Sequence, residues 1–305
     1  MPINTLEYSK IFQTGLDNQI VNDATSGWME KNAGQVKYTG GNEVKIPTIK
    51  TQGLGDYNRD SGFVQGAITL SYQTMTLTQD RGRTFHIDAM DVDETNFVTN
   101  VGNVMGVFQN EQVIPEIDSY RYSRIFALAK GKNRVTENYT ADKSTILAKL
   151  REDIIAIRDN AALNSDLVII MSPKTVGILS DSVENSRQID VGNFEQGSLN
   201  ISVKRFEGFP IIEVPSARLK TIYKKNDGKT SGQEAGGLVA DESAKDINWI
   251  IMSKNVPIAI SKTDITRIFD PMTNQTANAW KIDYRKYHDL WIPEQRLALV
   301  RANSN

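Results

Sequence analysis

Cysteine is absent from the 305-residue sequence, which excludes disulfides, zinc–thiolate centres and thiol nucleophiles. Histidine is scarce. His86 and His288 are the only imidazoles, so a Ser–His–Asp triad has no other base to draw on. No serine sits in a G-x-S-x-G word, no H-E-x-x-H occurs, and no G-x-G-x-x-G follows a strand pattern. Long apolar runs are missing as well: nothing approaches the roughly 18 apolar residues of a membrane-spanning helix. The opening MPINTLEYSKIF has neither the basic start nor the apolar core of a signal peptide. Excess charge is missing too. A formal net charge of −2 argues against a sequence-reading DNA binder, which carries a basic face, but not against a surface that merely encloses nucleic acid. With 39% hydrophobic and 24% charged residues, the composition is that of a folded chain long enough for about two domains.

Several groupings imitate functional sites and read better as structure. The Gly53–Gly55 pair is not followed by a G-K-[ST] word, and Asp56 and Asp60 would repel phosphate. Asp88, Asp91, Asp93 and Glu94 lack the spacing and central glycine of a calcium loop. They suit the positive end of a helix, with Asp93 or Thr95 as its cap. Glu152 and Asp153 fall on the polar side of a helix, where solvent is the default. Tyr284, Tyr287 and Trp291 interleave with Lys281, Arg285 and Lys286, as in a nucleic-acid platform. Sheet aromatics facing a core explain the same pattern more simply. KKNDGKTSGQEAGG, residues 224–237, reads as a solvated loop whose acids dilute its cations.

The strongest positive signal is the stretch 97–128, FVTNVGNVMGVFQNEQVIPEIDSYRYSRIFAL. Phe97, Val101, Val104, Met105, Phe108, Ile114, Ile117, Ile125 and Leu128 recur mostly at helical spacing. A straight helix of that length would run roughly 45–50 Å at 1.5 Å per residue. Pro115 interrupts it, predicting a bend or two helices that meet near 112–114. Lys130-Gly131-Lys132 reads as the stop.

Before this helix, residues 1–35 are mixed and polar, and Ile11 to Ile20 allows one short helix. It packs either on the core or, as an arm, on a neighbouring chain. Residues 36 to about 90 read as a long two-stranded excursion. Val44 and Ile46 alternate with charge. Ile68, Leu70 and Tyr72 alternate with polar residues, and the phase then flips at Met75 and Leu77. Such a flip requires a bulge or a change of partner. Pro47 marks an edge. Beyond the long helix, Ile146, Leu147, Leu150, Ile154, Ile157 and Ala161 predict a second amphipathic helix, opened near Asp142 or Ser144. Leu167–Met171 predicts a buried strand. Ser172-Pro173 predicts a capped helix carrying Val176, Ile178 and Leu179. Residues 181–199 read as a polar segment with Gly192 and Gly197. Gly208 suits a tight reversal between strands. Residues 247–252, 256–260, 265–269, 279–284 and 297–300 read as strands of one antiparallel sheet against the long helix.

The word VIPEIDSYR, residues 113–121, resembles the VPEIDAYR segment of one group of tailed-phage major capsid proteins with the HK97-type fold. The order helix, strand, Ser-Pro, helix, followed by FEGFPII and Val214-Pro215, resembles the axial domain of the same proteins. The likeness spans roughly residues 36 to 300, anchored on VIPEIDSYR and MSPKTVGIL. It implies an α+β chain with the HK97-like capsid fold: a long spine helix, an extended β-hairpin (the E-loop), and peripheral and axial domains. The expected division is 1–35 as N-terminal arm, 36–87 as E-loop, 88–140 with 246–305 as peripheral domain, and 141–245 as axial domain.

The implied function is that of a major capsid protein. It self-assembles into an icosahedral shell around a double-stranded phage genome, in the virion and, during assembly, in the bacterial host cytoplasm. The implied partners are copies of itself in pentamers and hexamers, a portal, and packaged DNA held without sequence specificity. A separate scaffolding protein is also implied, because no charged helical segment precedes the arm. No membrane, catalytic residue, cofactor or metal is expected. Some relatives cross-link neighbours through a lysine and an asparagine. Lys45 and Lys50 lie on the hairpin, but no asparagine or helper acid matches, so no cross-link is expected. An encapsulin-type nanocompartment shares the fold and encloses protein. A soluble hydrolase or binding protein is the alternative from another class.

Overall fold

Helical hydrogen bonding gets past Pro115 by widening one turn. The computed structural model describes residues 24–35, 37–38, 42–60, 62–90, 101–160, 166–182, 189–196 and 199–305. Val101–Phe108 (α1) leads into a π-helical turn, Gln109–Val113, and then into Ile114–Lys130 (α2). The Ile114 N–H reaches back five residues to the Gln109 carbonyl, and Pro115 sits in the first turn of α2. The wider turn spares the helix both the missing proline donor and the clash of its ring with the preceding turn. Residues 97–100 and the cap candidates Asp91, Asp93, Glu94 and Thr95 lie outside the described residues. The helix stops where expected, after Lys130 with Gly131 as its C-cap, but without a left-handed glycine. Gly131 stays right-handed at φ −60°, and Asn133 makes the reversal at φ 56°.

Two main sheets replace the single one expected. The larger runs edge to edge as Val135–Thr136 (β5), Val300–Ser304 (β15), Ile247–Ser253 (β12), Leu167–Met171 (β6), Phe209–Glu213 (β9), Leu199–Phe206 (β8) and Ile189–Gln196 (β7). Its β6–β9 and β15–β5 pairs are parallel. Val168, Ile170, Ile250 and Met252 pack on Tyr122, Ile125 and Phe126 of α2. From the other face, Leu167, Ile169, Trp249 and Ile251 pack on Ile146, Leu150, Ile154 and Ile157 of helix Ile146–Arg158 (α3), with Val176 and Leu179 of helix Pro173–Ser180 (α4). Both faces of β6 are therefore covered, which is why its sequence is apolar without alternation. Each such side chain contributes about 1.5–3 kcal/mol by burial. Ser172 caps α4 as predicted, accepting the Thr175 N–H at 3.2 Å. Ala161 lies outside the described residues.

The smaller sheet is Ile258–Phe269 (β13), Ala279–Trp291 (β14) and Gln79–Asp88 (β4), in the order β13-β14-β4. The strands expected at 256–260 and 265–269 are one strand. A register shift between Ser261 and Thr263 absorbs the polar interruption that reads as a turn. Ile282 and Tyr284 of β14 pack on Met105, Val113, Ile114 and Ile117, at the π turn and its flanks.

Glu43–Thr51 (β2) and Ile68–Thr76 (β3) form the hairpin, and Lys37–Tyr38 (β1) pairs only with Val44 and Lys45 of β2. Pro47 therefore lies where β2 has β3 on one side only. The phase flip at Met75–Leu77 is a change of partner: β3 pairs with β2, whereas β4 pairs with β14. The hairpin thus ends at Thr76, not at 87. Leu77 is buried at the crossing, where its carbonyl accepts the Tyr287 hydroxyl at 3.0 Å.

Three further expectations are corrected. The 3-10 helix Gly27–Gln35 buries Trp28 and Met29 in the main core, so the last part of the expected 1–35 arm belongs to the body. Residues 1–23 lie outside the described residues. The polar segment 181–199 contains β7, which pairs along β8. The boundary expected at 245 falls within one sheet, because β12 pairs with β6 on one side and with β15 on the other. Tyr223–Lys225 (β10) and Leu238–Ala240 (β11) form a small hairpin. The β8–β9 reversal is made by Glu207 at φ 50° and Gly208 at φ 85°. That two-residue turn matches the twist of antiparallel strands and favours glycine at its second position.

Candidate assembly surface

Four polar residues of the word 113–121 tie the start of α2 to distant parts of the chain. Glu116 accepts from Arg81 of β4 at 2.6 Å. Asp118, fully buried, accepts from the backbone and hydroxyl of Thr25 (3.2 and 2.8 Å), from those of Ser26 (3.1 and 2.7 Å), and from Arg218 (3.1 Å). Tyr120 donates to Asp289 of β14 at 2.6 Å, and Asp289 also takes the N–H and hydroxyl of Thr78. Arg121, fully buried, donates to the Ser26 carbonyl and to Glu30. A buried charge is tolerable only when paired and hydrogen-bonded, and these are.

The protonation states follow. Burial raises the Glu30 carboxyl, but the charges of Arg121 and Lys286 and the Arg121 hydrogen bond outweigh it, so its pKa lies below the ordinary value. Burial, then the neighbouring Asp289 carboxylate, pushes the Tyr120 hydroxyl up to about 12. The word is thus a fastening point between the long helix, the segment 24–30 and the smaller sheet.

The hairpin is fastened only at its base. Val44, Ile46 and Leu77 pack on Ile258, Tyr287 and Trp291. Farther out, the register sets Pro47 opposite Tyr72, Ile49 opposite Leu70, and Thr51 opposite Ile68. Directly opposed residues share a face, so one side of the outer ribbon carries Pro47, Ile49, Ile68, Leu70 and Tyr72. The other side carries Thr48, Lys50, Thr69, Ser71 and Gln73. Ile49, Ile68, Leu70 and Tyr72 remain 47–76% exposed. Alternation that predicts a half-buried strand is present, yet the described residues of the chain supply nothing to bury it. A lone hairpin is marginal in water, and an exposed apolar patch of this kind marks an interaction surface. At the tip, Leu54 and Phe63 are also bare, and the Tyr57 and Phe63 rings meet tilted by 59°, 4.9 Å between centroids.

Neither a protein-family model nor a curated protein sequence matches the chain. Solved structures do. The mature capsid of bacteriophage PhiM1 shares 14% identity over 87% of this chain and 82% of its own, with a TM-score of 0.55. The capsid of cyanophage P-SCSP1u shares 13% over 88% and 84%, at 0.56. A virus-like particle from Pyrococcus furiosus shares 12% over 97% and 99%, at 0.51. The chain has the HK97-type capsid fold.

Within this HK97-type fold the other candidate residues take separate places. His86 pairs with Lys281 and His288 with Gln79, at opposite ends of the β4–β14 ladder, so the two imidazoles do not form a pair. His288 is buried. Burial, reinforced by the charges of Arg121, Lys286, Arg81 and Lys225, holds its pKa well below the usual histidine value. Tyr284, Tyr287 and Trp291 are buried in cores, Lys286 pairs with Asp264, and Arg285 with Asp80.

Asp153 corrects the expectation of a solvated acid. It is buried, accepts the Trp249 indole N–H at 2.9 Å, and burial raises its pKa. Among the described residues no group of three metal-ligating side chains converges. The loop 226–237 is not free. Arg81 and Arg83 donate to its carbonyls at Asn226, Glu234 and Gly237. Sequence reasoning missed the fastening role of Asp118 and Arg121, because their partners at 25–30 and 218 are distant and carry no motif.

Proposed function

We propose that this chain is a major capsid protein that self-assembles into an icosahedral shell enclosing a double-stranded phage genome. The single observation that carries the reading is the ribbon beyond Ile46, whose apolar face no described part of its own chain covers. Closed shells repeat one contact around the particle, so a surface that is costly in the monomer is buried in every copy. The capsid fold supports the same reading.

The parts divide accordingly. Residues 42–76 form the E-loop. The long helix with β4, β13 and β14 forms the peripheral domain. The sheet around β6–β9 with α3 and α4 forms the axial domain, which borrows β12 and β15 from the end of the chain. The protein acts as a building block and not as an enzyme. Pentamers and hexamers of this chain, a separate scaffolding protein, a portal and non-specifically held DNA complete the particle, in the host cytoplasm and then the virion.

Electron microscopy of the purified full chain tests the proposal. Closed or curved shells of regular capsomers support it. A small soluble oligomer as the sole species contradicts it. A second reading, a protein-filled nanocompartment, is favoured by one observation: the Pyrococcus particle matches nearly the full length of both chains. Nuclease-protected DNA in particles from infected or induced cells supports the first reading; a copurifying enzyme supports the second.

A further inference from the structure

A cavity of about 270 Å³ opens between β4, the π turn with the start of α2, and the loop 226–237. Its deep wall is aromatic and aliphatic. Phe85 and Phe108 meet edge to face at 4.9 Å, Phe108 and Tyr284 at 5.8 Å, and Val113 and Ile117 complete it. Its mouth carries Gln112 and Arg83, both exposed. The carboxylates nearby are engaged. Glu116 is held by Arg81, and Asp227 accepts from the backbone of Lys229 and Thr230 and from the Thr230 hydroxyl. Arg83 donates only to the carbonyls of Glu234 and Ala235, so no described carboxylate neutralises its charge.

The hairpin tip is complementary on each count. Phe63 and Leu54 are almost wholly bare, and the Tyr57 ring lies tilted against Phe63. Asp56 and Asp60 flank these rings, and neither forms an ion pair among the described residues. No residue of the tip lines the cavity of its own chain. Nine consecutive paired residues of β2 and β3 hold the tip on a ribbon about 30 Å long, so it does not fold back.

We infer that the tip of one copy seats Phe63 in the Phe85–Phe108–Tyr284 cavity of a second copy, with Asp56 or Asp60 against Arg83. This rests on the shell reading and specifies which surface receives the hairpin. Burying one aromatic side chain removes about 150–250 Å² from water, and the cavity edge-on rings suit a further aromatic. The charge pair fixes the register of the tip.

The cysteine-free chain makes the contact testable by disulfide trapping. V64C and Q112C replace two exposed residues, one beside Phe63 on the tip and one at the mouth, so both leave the core and the Phe63 side chain intact. Particles of the double variant are oxidised and run on a non-reducing denaturing gel. Covalent multimers in the double variant, with each single variant monomeric, are expected. Closed particles whose double variant stays monomeric overturn the inference while leaving the shell reading standing. Multimers in V64C alone place tip against tip and overturn it as well. Wild-type chain that forms no shell at all overturns both. As a second measurement, R83E and D60K alone each raise the subunit concentration needed for assembly about tenfold, and the two together restore it. Failure of the pair to rescue, with D56K and R83E also failing, contradicts the charge contact.

Discussion

Ser26 and Asp118 meet twice, through the Ser26 N–H at 3.1 Å and its hydroxyl at 2.7 Å, across 92 residues of sequence. The pair joins the first described segment of the chain to the long helix at a fully buried position. D118A leaves the donors of Ser26, Thr25 and Arg218 without an acceptor. Removing one partner of such a buried ionic network costs about 3–5 kcal/mol. The expected outcome is a large drop in melting temperature, read by calorimetry on unassembled subunits. A change of under about 1 kcal/mol would mean that water replaces the carboxylate.

Acid should weaken the fold before carboxylates titrate. The folded chain holds His288 neutral, with a pKa well below 6.5, for burial and the cationic neighbours both oppose a proton there. The unfolded chain binds that proton below about 6.5 and the folded chain does not, so stability falls as pH drops through 6.5. The slope approaches about 1.4 kcal/mol per pH unit for one proton. Glu30, lowered from 4.5, adds its own loss only below that value. H288Q should flatten the melting-temperature profile between pH 6.5 and 5, while leaving the steeper fall below 4.5 in place. An unchanged profile would show that His288 is protonated in the folded state.

Alkali should act through Tyr120. Its hydroxyl is raised from 10 to about 12, so the folded chain keeps a proton that the unfolded chain releases above 10. The stability it contributes is complete below pH 10 and is lost as pH rises toward 12. Y120F removes this contribution and should be less stable at pH 8, with a shallower decline above 10. Spectrophotometric titration of tyrosine that finds every phenol ionising near 10 would refute the assignment.

Much of this architecture is legible in the residues. Leu167–Met171 and the Ser172-Pro173 cap declare themselves because their chemistry is local. The hairpin is legible for the same reason, and the flip at Met75–Leu77 correctly signals a new partner. The π turn is not legible, since widening one turn hardly disturbs the spacing of Phe108, Val113 and Ile117. Strand β7 is hidden because its pairing is a backbone property. Its Gly192 reads as a loop signal, whereas in the sheet the Arg205 side chain lies across the space a Cβ would fill. Asp153 reads as a solvated acid, and Asp118 carries no signal of its own beyond the word that holds it, because Trp249, Ser26 and Arg218 reach them only through the tertiary fold. The division into two sheets is equally non-local.

The exposed ribbon face separates folding from assembly. Ile49 and Leu70 are opposed in register and 63% and 54% exposed. Replacing both with serine removes little buried surface from the subunit, so its melting temperature should shift by less than about 0.5 kcal/mol equivalent. The same variant should lose closed particles in sedimentation. T69A with S71A, on the opposite polar face, should leave particle yield unchanged.

Intact subunits, with no covalent ladder, are expected when wild-type particles are boiled in denaturant. Lys45 and Lys50 lie on β2, and no sequence motif supplies the asparagine and helper acid that such a cross-link uses. Ladders of multimers would show that such chemistry occurs.

Amide hydrogen exchange over residues 43–76, compared between free subunits and assembled particles, addresses the central claim most directly. Slow exchange of the hairpin and tip only after assembly is the predicted result, with the base near Val44 and Leu77 protected in both. A hairpin already protected in the isolated subunit, or one that exchanges equally fast in the particle, would contradict the account.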